Sequence, residues 1–383
     1  MNHQFHQTMF LAFLFFGIIL TTTSAQEHSA KISAQGYAAM TAGRHFVPYE
    51  FERRAVGESD VLIEILYAGI CHTDLHQVME DWRKGIFPMV PGHEIVGRVA
   101  QTGKNVQSVK VGDYAGVGCM VHSCGECEQC RKHEEQYCPQ TVWTYNSLDT
   151  NGTPSQGGYS DKIVVDENFV VKIPENVPLE RIAPLFCAGI TTYSPLRYNN
   201  VKAGDNVAVA GFGGLGDMAV QYAIAMGAKV TVFDVNESKR QSAMDLGAVK
   251  FVNVRNENEL IGLNSSFDLM ISTIPTRYDV GMYLRMLKVD GTVVLLGMPP
   301  GDQTPMIPAM SLMGRRKVYA SLIGGMKETR EMLEFSVRNK IYPHVEIIPI
   351  QKLDEAFQNL AEGKALFRYV IDMKSLDDKN RDL

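Results

Sequence analysis

The segment "NVAVAGFGGLG", Asn206 to Gly216, makes the sharpest statement about architecture in this chain. It reads as a buried strand running into Gly211-x-Gly213-Gly214-x-Gly216, after which "LGDMAVQYAIAMGA" has helical spacing. Alone, a Gly-x-Gly-x-x-Gly turn says little. Here it joins a strand to a helix, and the next strand, "KVTVF", ends at Asp234. That acid lies about twenty residues past the turn, where a dinucleotide-binding βαβ unit places its ribose-binding residue. Glycines let the backbone approach a pyrophosphate, and the helix N-terminus adds partial positive charge. The alternation continues through "FDLMISTI", a helix near Val280 to Leu287, "TVVLLG" and "KVYASLI". This predicts an α/β chain with a doubly wound parallel sheet inserted in its middle.

The 383 residues allow two or three domains, and 45% apolar content supplies packed cores. A formal net charge of −6 leaves no basic footprint, which argues against nucleic acid as a partner. Met9 to Leu20, "MFLAFLFFGIIL", is unbroken apolar. A bilayer span takes ~20 residues and a signal-peptide core ~7–15, so the run fits the second. Thr23-Ser24-Ala25 offers small residues for cleavage before Gln26. Residues 1–25 are therefore expected to be a signal peptide, the protein to be exported (periplasmic or secreted), and no stable membrane partner beyond that segment is expected. The first eight residues contain no Lys or Arg, which keeps a cytoplasmic location as the alternative.

Five of the seven cysteines crowd into "GVGCMVHSCGECEQCRKHEEQYCP". Cys124, Cys127, Cys130 and Cys138 are spaced Cys-x2-Cys-x2-Cys-x7-Cys, and such short spacings let thiolates converge on one ion in a closed tetrahedral shell. A disulfide knot is the competing reading in an exported protein. Against it, cysteines three apart are cramped for pairing, and a chain of this size needs no staples. Cys119 falls outside the spacing and reads as a packed small hydrophobe. A structural zinc loop over 119–138 is the expectation.

The two outlying cysteines, Cys71 in "CHTDLH" and Cys187 in "LFCAGITTYSPL", join His93 of "PGHEIVG" as a second candidate set. Two cysteines and one histidine leave a tetrahedral ion one open position, the arrangement of a catalytic site. Singly, each residue has a plainer reading as a buried thiol or a hydrogen-bonded loop histidine.

The segments "AGICHTDLH", "PMVPGHEIVGRV", "VGDYAGVGCMVHSCGECEQC", "CAGITTYSPL" and "GFGGLG" occur in one order. From about Lys31 to Asp372 the chain resembles the zinc-dependent medium-chain alcohol dehydrogenases, in their cinnamyl-alcohol-dehydrogenase-like branch. The resemblance implies a GroES-like, mainly β catalytic domain over 31–185 and 325–383, with a Rossmann domain over 186–324. It implies two zinc ions and reversible hydride transfer between a nicotinamide cofactor and a primary alcohol or aldehyde, aromatic or medium aliphatic. Cys71, His93 and Cys187 match the catalytic zinc ligands, and Glu94 the carboxylate that can approach the metal. Asp74 matches the acid that orients the liganding histidine. Thr73 and His76 match a proton relay, needed because zinc lowers the pKa of a bound alcohol toward ~7 and the proton must leave a closed pocket.

Thr191 and Leu215 match residues beside the nicotinamide, Met298 its junction with substrate, Lys239 the adenosine ribose, and Arg368 the pyrophosphate. Trp82 matches an aromatic of the substrate pocket, or else is an ordinary core tryptophan. Relatives commonly pair Rossmann sheets edge to edge, so a homo-oligomer is implied. A catalytically silent protein binding zinc and dinucleotide is the alternative from another class; it would suit a chain missing a ligand or relay residue, and none is missing. A zinc-free quinone or enoyl reductase of the same fold conflicts with both cysteine sets.

Two positions depart from the branch. Asp217 stands in the first turn after the glycines, where relatives usually carry His; it favours the helix dipole but is expected to repel a pyrophosphate. Asp234 stands where a small hydroxyl residue admits the 2′-phosphate of NADP, so NAD is favoured and NADP possible.

Overall fold

The computed structural model describes residues 30–301, 303, 307–365 and 368–377. The expected signal segment lies outside the described residues. Among them, no helix is long and apolar enough to cross a membrane.

The middle of the chain builds a six-stranded sheet, parallel at every pairing. Its spatial order is Lys250–Asn253, Lys229–Asp234, Asn206–Ala210, Phe267–Ser272, Leu287–Leu295 and Lys317–Ala320. In order of appearance along the chain this is 3-2-1-4-5-6, the Rossmann order, which reverses between the first and fourth strands and opens a crevice there. Alternation along the strands explains their near-continuous apolar sequence. Val207 and Val209 join one core cluster, whereas Ala208 and Ala210 join the cluster on the opposite face with Phe233, Met270 and Val293. Both faces are buried, so both registers must be apolar.

Two glycines of the turn have structural necessity. Gly211 adopts φ 90°, and a Cβ on Gly216 would lie 2.1 Å from the Gly211 carbonyl oxygen. The turn can close against the helix Gly214–Ala225 only without a side chain at 216.

The largest sheet in the rest of the described chain is predominantly antiparallel and centred on the strand Asp60–Gly69, with two two-stranded sheets besides. One edge of this strand pairs with Ile95–Thr102. The other edge divides: residues 60–64 pair with Lys162–Asp166, and 67–69 with Arg368–Asp372. The second partner arrives from the far end of the sequence, after the helices Met326–Asn339 and Leu353–Ala361. This return brings Arg368 beside the start of the chain's functional half. A single core cluster runs from this sheet into one face of the parallel sheet.

The cysteine loop docks at the same junction. Glu135 accepts a hydrogen bond from the Met326 amide at 2.9 Å. Gly325 lies so close that a Cβ there would sit 1.7 Å from the His133 carbonyl oxygen.

Candidate active site

The helix His72–Val78 starts at Cys71, and Asp74 organises everything around that start. Fully buried, Asp74 accepts the Cys71 amide at 2.8 Å and the Gly92 amide at 3.2 Å. It also accepts the Tyr159 hydroxyl at 3.0 Å and His93 Nδ1 at 3.0 Å. The last bond places the His93 proton on Nδ1, so Nε2 presents its lone pair 3.3 Å from Cys187 Sγ. Burial pushes the Tyr159 phenol well above its usual pKa, keeping it a donor to the carboxylate. Tyr145 packs on the His93 ring at 5.8 Å between centroids.

Cys187, at the head of the helix Ala188–Tyr198, brings its sulfur to 3.9 Å from that of Cys71. Ligand atoms of Cys71, His93, Glu94 and Cys187 all lie within 4.8 Å of one another. Glu94 is fully buried: Oε1 accepts from Arg368 Nη1, whereas Oε2 has no partner. Burial pushes its carboxyl up, against the attraction of Arg368. Gly69 makes room for it, since a Cβ there would lie 2.0 Å from Oε2. Two soft thiols, an oriented imidazole and an unpartnered buried carboxylate oxygen fit a zinc ion.

The second cysteine set also converges. Cys124 Sγ lies 3.9 Å from Cys130 Sγ and 3.5 Å from Cys138 Sγ. These separations are far beyond a disulfide bond of about 2.05 Å. The sulfurs of Cys124, Cys127 and Cys138 accept backbone amides of Cys127, Cys130 and Gln140 at 3.3, 3.5 and 3.4 Å. Amides directed at sulfur stabilise thiolates, the form that binds zinc. The four fit a structural ion; among the described residues these are the two clusters with such geometry.

A cavity of about 830 Å³ opens above the catalytic set and continues along the glycine turn. Thr73, His76, Thr191, Leu215, Met298 and Arg368 all line it, as do Asp234 and Lys239. His76 Nδ1 donates to Asp81 at 2.7 Å, while its buried Nε2 has no partner. Trp82 lines the cavity too, its ring 4.7 Å from that of His76 and its Nε1 donating to the Pro299 carbonyl at 3.1 Å. Of the two readings of Trp82, the pocket wall is the one its position fits.

At the turn, a Cβ on Gly214 would lie 3.2 Å from Arg368 Nε, a buried nitrogen without a partner. Gly213 has open space around its Cβ position. A bare backbone, a helix N-terminus and an unsatisfied guanidinium nitrogen fit a pyrophosphate. Asp234 Oδ2 accepts the Phe212 amide at 2.7 Å and lies 3.2 Å from Lys239 Nζ.

One expectation changes. The Asp217 carboxylate does not face the turn: it is buried, 3.4 Å from His344 Nδ1 in the returning segment. The anticipated repulsion of pyrophosphate therefore does not follow from its placement. Cys119 packs against the core cluster as a half-buried small hydrophobe, as expected, and also lines the cavity. Tyr159, Tyr145 and Asp81 were missed. Asp81 had a local signal, five residues past His76; Tyr159 comes 85 residues after Asp74 and had none.

Residues 57–175 match the family model for the alcohol dehydrogenase GroES-like domain, and residues 214–338 that for zinc-binding dehydrogenases. The chain is 46% identical over 326 residues to the probable formaldehyde dehydrogenase AdhA of Bacillus subtilis, covering 85% of this chain and 93% of that one. It is 44% identical to cinnamyl alcohol dehydrogenase 2 of Rauvolfia serpentina, covering 91% and 96%. Its structure superposes on the cinnamyl alcohol dehydrogenase of Helicobacter pylori, solved with NADP(H), with a TM-score of 0.86, 49% identity and coverage of 90% and 99%. The oriented ligand set, the Rossmann crevice and these likenesses agree: the chain belongs to the zinc-dependent medium-chain alcohol dehydrogenase family, in its cinnamyl-alcohol-dehydrogenase-like branch, and is an NAD(P)-dependent alcohol dehydrogenase.

Proposed function

We propose that this enzyme interconverts primary alcohols and aldehydes, aromatic or medium aliphatic, with a preference for NAD and two zinc ions of separate roles. The observation that carries the reading is the convergence of Cys71, His93, Glu94 and Cys187 at one end of a cavity whose far wall is the glycine turn. Zinc on Cys71, His93 and Cys187 would polarise the substrate oxygen, while the nicotinamide carries the hydride. The chain's own residues do the rest. Asp74 fixes the His93 tautomer, and Trp82, Trp143 and Tyr145 give the substrate half apolar walls that exclude water. Thr73 takes the alcohol proton toward His76, whose Nε2 is left free to accept it because Asp81 holds Nδ1.

NAD preference is supported by the Asp234 carboxylate at the ribose end of the cleft. The catalytic unit is assigned to 31–185 and 325–383 and the dinucleotide unit to 186–324. A homo-oligomer paired through the parallel sheets, and export directed by residues 1–25, complete the reading. Turnover of a panel of alcohols and aldehydes by the zinc-loaded full-length chain, with both cofactors, tests it. Absence of turnover across the panel would refute it.

A further inference from the structure

Arg83 stands at the rim of the substrate half of the cavity, next to Trp82 in the loop after the relay helix. Its guanidinium is tethered: Nη2 donates to the Asn146 carbonyl at 2.6 Å. Asn146 is itself an anchored point, buried and held in the left-handed region at φ 52°. Its amide group accepts the Ile86 N–H at 2.8 Å and donates to Gln77 Oε1. Gln77 and Tyr145, which precedes Asn146, also line the cavity, and Tyr145 packs on His93.

The arginine thus sits on the wall that supports the ligand histidine, held by one of its five N–H groups. Both neighbouring acids are occupied elsewhere. Glu80 accepts the Gly85 amide at 2.8 Å and Asp81 holds His76 at 2.7 Å. No carboxylate among the described residues forms an ion pair with Arg83. The apolar side chains of Met298, Leu322 and Ile323 line the same cavity.

A planar guanidinium tethered by one hydrogen bond, free of an ion pair and beside the apolar Trp82 and Tyr145 of the cavity wall, matches a carboxylate bidentately. Resting on the dehydrogenase reading above, we propose that Arg83 selects aldehydes with a carboxylate at the end remote from the reacting carbonyl, the class of ω-oxo acids and formyl-substituted aromatic acids. The step is ordinary reduction: the aldehyde, a hydride from the reduced nicotinamide and one proton give the ω-hydroxy acid and the oxidised nicotinamide. The remote carboxylate takes no part beyond binding.

The test compares kcat/KM for straight-chain ω-oxo acids of increasing length with the matching uncharged ω-oxo amides, using zinc-loaded full-length enzyme and reduced cofactor. At the length that spans the channel, the acid should exceed its amide by about tenfold, the effect of one charge-assisted hydrogen bond in a partly solvated site. Arg83→Gln should bring that ratio to about one, Arg83→Lys should retain part of it, and raised salt should shrink it in the unmodified enzyme. A rim residue that merely braced Asn146 would change acid and amide alike. Turnover with an acid-to-amide ratio near one at every length overturns the role of Arg83 alone. Absence of turnover with every acid and amide refutes the dehydrogenase reading and this inference with it. Should the Gln variant fail to fold, the length and salt dependence of the unmodified enzyme still decides.

Discussion

Asp234→Asn tests the proposed preference for NAD over NADP by removing the Asp234 charge. The carboxylate is buried, with 7% of its surface accessible, and Oδ2 accepts the Phe212 amide of the glycine turn at 2.7 Å. Asn retains an oxygen for that bond but not for the Asn236 amide, which Oδ1 accepts at 2.9 Å, so the charge is lost together with one backbone contact of the turn. A 2′-phosphate bound beside this carboxylate is taken at a contact distance of about 5 Å for an order-of-magnitude figure. At an effective dielectric of about 20, each pair of unit charges at that distance repels by about 3 kcal/mol. Lys239 Nζ, 3.2 Å from Oδ2, cancels part of the field. If half survives, about 1.5 kcal/mol remains, which is roughly tenfold in affinity.

NAD in turn loses a charged acceptor for its ribose hydroxyls, worth another few-fold. The ratio of kcat/KM for NAD to that for NADP should therefore fall roughly thirtyfold in the variant, measured with one alcohol at low and moderate salt. Asp234→Ser should shift it similarly but also lower the melting temperature, because the Phe212 amide then lacks its acceptor. Higher kcat/KM with NADP in the unmodified enzyme, or a ratio that moves less than about threefold in Asp234→Asn, would refute the electrostatic reasoning.

Cys127→Ser should lower bound zinc by one ion per chain and reduce thermal stability, since the loop it organises also caps the Met326 amide through Glu135; elemental analysis of the freshly purified, unchelated parent finding fewer than two ions contradicts this. His76→Gln should depress alcohol oxidation most at low pH, where no bulk base replaces the imidazole, and an unchanged pH profile removes His76 from the relay. His344→Gln probes the contact with Asp217, whose hydrogen bond raises the His344 pKa against partial burial. Because the folded value is the higher one, the contact stabilises fully below the unfolded pKa of about 6.5 and is lost as pH rises through the folded value. The stability gap between parent and variant, under about 1 kcal/mol for so exposed a partner, should be widest near pH 6 and close on the alkaline side; a gap that grows with pH refutes it.

The parts of the site legible in the sequence are those whose chemistry demands near neighbours. Thiolates on one ion tolerate little intervening chain, so Cys124 to Cys138 announce themselves by spacing. A turn that admits pyrophosphate demands glycines within one helical turn, and a Cβ at position 216 would collide with the Gly211 carbonyl, so no other residue serves there. Cys71, His93 and Cys187 were legible only through the motifs around them, because 116 residues separate the two thiols that end 3.9 Å apart.

Where a property depends on partners brought together by the fold, local reading failed. Asp217 looked like a charge facing the cofactor because its position in the first helical turn says nothing about χ angles. Its carboxylate instead turns to a histidine 127 residues later, which reaches it only because the chain returns to complete the antiparallel sheet. Cys119, read correctly as a packed small hydrophobe, also reaches the cavity wall, which its place outside the cysteine spacing could not show. The substrate end is the extreme case. Arg83 is pinned by a carbonyl 63 residues away and shares its cavity with side chains from the segment 298–323. Nothing in "DWRKG" distinguishes such an arginine from a solvated surface charge. Specificity in this fold is written across the crevice between two units, so it becomes visible only once both walls are in place.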